Sequence, residues 1–356
     1  MWPLIMDVSS IQNESILWIA WERQRRSTTL ARHLGADLRQ LESSLPRFER
    51  YLLLALSTIN LIIKKKPRII FVQNPSIVLC FLITLYKKVF RTSKLIIDCH
   101  TPYIRLKGIP KIIFDHVTRF IFVNADMIIV TNNDLSSLYS NRYPNVVFFV
   151  LPDKVPEFPN LRPIRLSAKT NILLVCTFSD DEPYIEAFKA MHKIESATLY
   201  VTGNSKRASA EALSLKPENV ILTGFLTESD YASFLNAADI IMDLTDIENC
   251  LVCGAYEAVS LGKPMILSDK KVLRDYFVKG AVFTRNTAGD IAIKIQTAIK
   301  HQDNLRNEVL QLRHTLYKNW TTEWNRLLYM LEMLIQDLPL TEEPSSKSPE
   351  DDPLKG

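Results

Sequence analysis

The sequence predicts two doubly wound α/β domains, each a parallel sheet with helices on both faces, and three observations support this. The chain has 356 residues, too many for one ordinary core and suited to two domains. Short β-branched runs alternate with longer periodic segments, the pattern of parallel strands joined by crossover helices. The alternation breaks once, where Pro152, Pro156, Pro159 and Pro163 punctuate a stretch that no helix or central strand can cross.

In the first half, strands are expected at Ser15–Ala20, Arg68–Gln73, Lys94–Cys99, Asp126–Thr131 and Val146–Val150. They are apolar at nearly every position, as strands buried on both faces should be. Helices are expected between them at Ser27–His33, Arg47–Lys65, Ser76–Phe90, Lys111–Asn124 and Asn133–Tyr139. Beyond the break the pattern restarts, with strands at Thr170–Thr177, Ala197–Thr202, Asn219–Thr223, Asp239–Leu244, Pro264–Ser268 and Ala281–Phe283. The helices there are Tyr184–Ile194, Ser205–Leu213, Glu228–Asn236, Gly254–Leu261, Lys271–Phe277 and Gly289–His301. A long amphipathic helix from about Asp303 to Gln336 carries Trp320, Trp324, Leu327, Leu328 and Leu331 at helical spacing. The expected organisation is a first domain over 1–160, a linker near 151–168, a second domain over 169–302, a helix over 303–338 crossing back to the first domain, and a disordered acidic tail over 339–356. Ligands of open α/β sheets bind beyond the carboxyl ends of the strands, so two such sheets facing each other enclose a cleft.

Composition narrows the function. Apolar residues at 47% and charged residues at 23% are globular proportions. Glycine is scarce, at 9 residues, and neither a GxGxxG nor a P-loop occurs, which removes the main support for dinucleotide or ATP binding. The 5 cysteines are odd in number and mostly sit in apolar runs, so a reducing, cytoplasmic setting is expected. Cys250-x-x-Cys253 lacks the second pair of a zinc ribbon, and no Asp-x-Asp ends a strand, so no metal is expected. Met1–Ser10 lacks the basic start of a secretory signal, and the longest apolar stretch, Ile77–Tyr86, is too short to span a bilayer.

The net charge of +4 conceals an asymmetry. Residues 1–150 hold 20 Lys and Arg against 10 Asp and Glu, while residues 151–356 hold 23 against 29. A basic first half suits an anionic membrane surface, and the Arg47–Arg68 and Ile77–Lys94 segments join apolar faces to lysine clusters as interfacial helices do. Nucleic acid is not an expected partner, because the basic residues are interleaved with aliphatic runs and no RNP-type aromatic motif occurs.

The richest stretch is Leu244–Asp269, LTDIENCLVCGAYEAVSLGKPMILSD, read as strand, loop, helix, turn, strand. Its helix is expected to open near Gly254 with Glu257 in the first turn, offering N–H groups to a diphosphate and a carboxylate to ribose hydroxyls. His100 ends a strand and should face the cleft, with Asp98 on the same strand face. Arg23, Arg25 and Arg26, where the first strand meets the first helix, suit an acceptor phosphate.

GAYEAVSLGKPMILSD resembles the nucleotide-sugar-binding segment of family 4-like glycosyltransferases of GT-B fold, also called glycosyl transferases group 1. Thr223-Gly224-Phe225-Leu226, Tyr231, Ala237-Ala238-Asp239, Leu199–Gly203 and Cys176–Pro183 stand in the order this family shows. The first half resembles the family more loosely, through Gln73-Asn74-Pro75 and Ile97-Asp98-Cys99-His100, and is similar to mannosyltransferases that extend dolichyl-diphosphate chitobiose. The resemblance implies two Rossmann-like domains and transfer of a sugar from a nucleoside-diphosphate sugar, as substrate and without a cofactor or metal, to a glycan or polyprenyl-diphosphate-linked acceptor. It implies donor contacts from Glu257, Tyr256, Gly254, Asn249, Thr177, Ser179 and Leu226, acceptor contacts from Arg25, Arg26, Ser27 and Asn74, and a catalytic His100. Two positions depart from the family: Asn249 stands where a glutamate is usual, and Ser179–Glu182 is acidic where an arginine and a lysine are common. Phosphate neutralisation then falls to helix N-termini or to Lys206, Arg207 or Lys270. Two alternatives stay open: a catalytically degenerate GT-B partner subunit, and a nucleotide-sugar 2-epimerase.

Overall fold

The computed structural model describes residues 14–74, 76–100, 110–159, 161–166 and 168–340. Met1–Ser10, Pro75 and the tail from 341 lie outside them. The first half comprises β1 Ile16–Ala20, α1 Arg25–Leu34, β2 Asp37–Gln40, α2 Arg47–Lys65, β3 Ile69–Gln73, α3 Ile77–Phe90, β4 Lys94–Cys99, α4 Lys111–Asn124, β5 Met127–Val130, α5 Asn133–Arg142 and β6 Phe148–Val150. The second half comprises β7 Asn171–Leu174, α6 Tyr184–Met191, β8 Thr198–Thr202, α7 Ala210–Leu215, β9 Val220–Gly224, α8 Glu228–Ala237, β10 Ile240–Asp243, α9 Cys253–Leu261, β11 Met265–Ser268, α10 Lys271–Tyr276, β12 Ala281–Thr284, α11 Ala288–Lys300 and α12 Gln302–Ile335.

The two six-stranded parallel sheets differ in order. The first runs β2-β1-β3-β4-β5-β6 and reverses between β1 and β3. The second runs β12-β11-β10-β7-β8-β9 and reverses between β7 and β10. Both are doubly wound, and at each reversal the adjacent loops part to leave a crevice at the carboxyl edge.

Alternation along β1 explains the two-faced core. Leu17 and Ile19 enter the cluster shared with α2, α3, α4 and α5, while Ile16 and Trp18 enter the cluster shared with α1. In α12, Val309, Leu312 and Leu316 pack with the second sheet, while Trp320, Trp324, Leu327, Leu331 and Leu334 pack with the first. Trp320 Nε1 donates to the Pro152 carbonyl at 3.2 Å, fastening this helix to the linker.

Three local expectations differ from the structure. Asp37–Gln40 is a polar edge strand with no apolar run to announce it, and its pairing with β1 makes it a strand. The expected helix Ser205–Leu213 is a short 3₁₀ turn followed by α7, because the Ser209 side chain caps α7 by accepting from Ala212 N. Helix α9 opens at Cys253, so Glu257 is its fifth residue and lies beyond the first turn.

Candidate functional site

On the first sheet the β1–α1 junction delivers three residues of different kinds. Arg26 is buried. Its Nε donates to Asp98 Oδ1 at 2.9 Å, Nη1 to Asp153 Oδ1 at 2.6 Å, and Nη2 to the Leu151 carbonyl at 3.0 Å. Burial opposes the Arg26 charge, but the two carboxylates outweigh it and push its pKa further up. This guanidinium ties β4 to the linker, so the side chain expected to hold an acceptor phosphate is buried and already engaged by two carboxylates and a carbonyl. Ser27 Oγ donates to Gln73 Oε1 at 3.0 Å, and Asn74 Nδ2 donates to Cys99 Sγ at 3.3 Å. Both lie in the buried strand-end network. Arg23 pairs with Glu42 at 3.1 Å, away from these groups.

His100 lies just after β4, with Nδ1 3.9 Å from Asp98 Oδ2. Among the described residues that buried nitrogen has no hydrogen-bond partner. Burial holds the imidazolium below its ordinary range, Asp98 resists, and Arg26 adds to the depression. The ring is therefore neutral at neutral pH and able to accept a proton.

On the second sheet, Glu257 is 3% exposed and stands at the meeting of the two domains. Arg25 Nη1, from the first domain, donates to Glu257 Oε1 at 2.5 Å, and the Tyr231 hydroxyl donates to Oε2. Burial pushes the Glu257 carboxyl above its ordinary range, and Arg25 and Tyr231 hold it back only in part. Other contacts between the halves include Asn132 Nδ2, which donates to the Asn249 carbonyl at 3.0 Å, and Lys271, which pairs with Asp134 at 3.1 Å. Asn249 has φ 59, a left-handed conformation that asparagine adopts more readily than most residues.

The N–H groups expected to meet phosphate already have internal partners. Gly254 N donates to Asp243 Oδ2 at 2.7 Å. A Cβ at Gly254 would lie 2.6 Å from that oxygen and 2.8 Å from Val175 Cγ2, so only glycine lets α9 approach β10 this closely. Burial pushes the Asp243 carboxyl well above its ordinary range, with Gly254 N–H opposing and Glu257 and Glu182 adding to the rise. In the turn after β7, Glu182 Oε2 accepts from Thr177 N at 2.8 Å and Ser179 N at 3.0 Å, while Oε1 accepts from Thr177 Oγ1 at 2.9 Å. Lys270 is drawn to Glu248 at 2.6 Å, and Lys206 and Arg207 are exposed in the 3₁₀ turn.

Of the remaining expected donor residues, Tyr256 is buried against Phe277 and Tyr276, with ring centroids 5.3 and 5.5 Å away. Leu226 is half-buried in the loop after β9, where its neighbour Phe225 is 85% exposed. The structure thus gathers Arg25, Glu257, Asn249, Gly254, Thr177 and Ser179 around the second sheet's carboxyl edge and the domain boundary. Sequence reasoning missed Asp153 and Asp243 as site neighbours. Asp243 had a signal, since it is the one charge closing an otherwise apolar strand, Ile240–Asp243.

Residues 174–318 match the family model described as Glycosyl transferases group 1. Among solved structures, the chain is similar to sucrose-phosphate synthase from Thermosynechococcus elongatus, with a TM-score of 0.75 and 14% identity over 91% of this chain and 100% of that one. It is similar to HepE from Anabaena in complex with UDP and glucose, with a TM-score of 0.68 and 12% identity over 90% and 100% of the two chains. A glycosyltransferase from Rickettsia africae superposes with a TM-score of 0.65 and 12% identity over 91% and 99%. No curated protein sequence matches the chain. At these identities the structural likeness establishes the fold, which is GT-B.

Proposed function

We propose that the chain transfers a sugar from a nucleoside-diphosphate sugar, held by the second domain, to an acceptor held by the first. The acceptor is a glycan or a polyprenyl-diphosphate-linked sugar presented at an anionic membrane surface. The observation that carries the reading is Glu257, a buried carboxylate at the second sheet's carboxyl edge, inside the segment that matches the group 1 family. Its two oxygens, now occupied by Arg25 and Tyr231, suit a ribose diol. Phe225 offers a face for the base. In this reading the diphosphate displaces Glu182 from the Thr177 and Ser179 amides and shares the α9 N-terminus with Asp243, so that N–H donors rather than a metal meet the charge of the leaving group. Neutral His100 receives the proton of the acceptor hydroxyl. HepE was solved with UDP, which makes UDP the first nucleotide to test.

The test is thermal stabilisation of the wild type and Glu257→Ala by UDP, GDP, CMP and dTDP. A ligand at a hundred times its Kd adds about 2.7 kcal/mol to the folded state, a rise of several degrees. One diphosphate should raise the wild-type midpoint and leave that of Glu257→Ala unchanged. Equal shifts in both proteins would remove Glu257 from the donor site.

A second reading, a partner subunit that binds nucleotide without transferring sugar, is favoured by the Glu182 carboxylate standing on the turn amides. Nucleotide binding with no release of nucleoside diphosphate from any nucleotide sugar would favour it.

A further inference from the structure

The exposed apolar side chains of the molecule are not evenly spread. Among the described residues, twelve of the 21 exposed large hydrophobics lie on α2, α3 and α4. These three helices cover one face of the first sheet side by side: Phe81 of α3 meets Phe120 of α4 with centroids 5.4 Å apart, and Lys87 Nζ of α3 donates to the Asn124 carbonyl of α4. Each helix buries one stripe in the core, such as Leu54, Thr58 and Ile62 of α2, and presents a second apolar stripe outward. In α2 the outward stripe includes Phe48 at 82% and Leu56 at 63%; in α3 it includes Val89 at 64%, and in α4 Ile112 at 67%. A face of this kind on a chain in water marks an interaction surface.

Charge selects the occupant. Lys64, Lys65 and Lys66 close α2, and Lys87, Lys88 and Arg91 close α3. Lys65 pairs with Asp37 and Lys87 with Asp126, while Lys64, Lys66, Lys88 and Arg91 have no ion pair among the described residues. The acidic residues of the three helices are Glu49 and Asp115, the latter paired with Lys111 at 2.5 Å. A second copy of the same cationic face would meet it with like charge, whereas an anionic bilayer would attract the cations and accept the apolar stripe. No helix of the described residues is long and apolar enough to cross a membrane, so contact would lie in the plane of the interface.

We infer that the α2–α3–α4 face is the docking surface for an anionic lipid bilayer, and that it sets the orientation of the first domain at the membrane. Helices of a parallel α/β sheet run opposite to the strands, so their N-terminal ends stand at the carboxyl edge, which borders the cleft. Phe48 and Ile112, the second residues of α2 and α4, therefore bring the apolar stripe to the cleft edge, while the lysine clusters lie at the far edge. A bilayer on this face lies along the route by which a lipid-linked acceptor reaches His100. The inference deepens the lipid-linked-acceptor reading and rests on it for its purpose.

The experiment is co-flotation of the full chain with vesicles of phosphatidylcholine alone or mixed with phosphatidylglycerol, at low and high salt. Strong binding is expected only with phosphatidylglycerol, and salt should weaken it. Phe48→Ser/Leu56→Ser/Ile112→Ser and Lys64→Glu/Lys66→Glu/Lys88→Glu should each reduce binding roughly tenfold or more. Val278→Ser/Ile293→Ser, on exposed apolar residues of the second domain, should not change it. All these positions are exposed, and circular dichroism checks that each variant is folded. No binding to the anionic vesicles, or binding unaltered in both triple variants, overturns the inference. So does a wild-type dimer in sedimentation that the apolar substitutions dissolve, since a second copy would then be the occupant. The UDP thermal shift is read on the same proteins: vesicle binding without a nucleotide shift removes the sugar-transfer reading and leaves the surface standing.

Discussion

The two strand-order reversals differ in how their charges are satisfied. At the first, a cation is enclosed by carboxylates, with Arg26 between Asp98 and Asp153. At the second, carboxylates are enclosed by donors: Glu182 on the Thr177 and Ser179 amides, Asp243 on Gly254 N, and Glu257 under Arg25 and Tyr231. The same architecture therefore yields a fastener in one domain and an internally occupied anion cradle in the other. A ligand at the first reversal would have to compete with Asp98 and Asp153 for the Arg26 guanidinium. At the second reversal, a ligand must displace or share what the protein has placed there.

The largest expected effect breaks the fastener. Arg26→Met leaves Asp98 fully buried without its cation and should cost about 3–5 kcal/mol, read as a fall in the urea midpoint. Adding Asp98→Leu removes the orphaned charge and should recover part of that loss. A neutral Arg26→Met would show that the network holds nothing.

Next comes the backbone that sets the donor loop. Asn249→Val forces a β-branched residue to φ 59 and should cost about 1–2 kcal/mol in thermal melts, while Asn249→Gly should be nearly silent. Equal costs for both would trace the effect to the lost side chain rather than to strain.

Glu182→Ala sharpens the comparison from the other side. It frees two backbone amides and removes a negative charge, so the Kd for a nucleoside diphosphate should fall roughly fivefold to tenfold. The Kd for the unphosphorylated nucleoside should stay unchanged. Weaker diphosphate binding would show that Glu182 shapes the turn rather than competing for it.

The smallest effect is a pH dependence. Because the folded-state pKa of His100 lies below its unfolded value, the unfolded chain binds more protons as pH falls. The stability tied to neutral His100 is fully present above about pH 6.5 and is lost as pH falls through the folded pKa. His100→Asn should flatten the stability profile over that window, and an unchanged slope would exclude His100 as its source.

Much of this architecture was legible in the chain. The strands announced themselves as apolar runs because both of their faces are buried, and the proline cluster marked the linker. The bounds of α2 and α4 follow directly from periodicity. The edge strand β2 did not show itself, because its sequence, DLRQ, carries no apolar signal and its strand character comes from pairing with β1. Among the site residues, the segment around Glu257 was visible through its resemblance, whereas the roles of Arg26, Ser27 and Asn74 were not. Residue type alone marks an arginine or a serine as available; only the folded chain shows that Asp153, 127 positions from Arg26, already holds it.

The sequence by itself determined two parallel sheets, their linker, the basic first half and the family signature of the second. These depend on local periodicity, composition and contiguous motifs, which need no knowledge of distant neighbours. The tertiary structure alone decided that Arg25 meets Glu257 across 232 residues, that Glu182 accepts from the amides of the turn after β7, and that among the described residues three helices leave one apolar face exposed. A side chain's charge is a property of its residue, but its partners and its exposure depend on which distant segments the fold packs beside it.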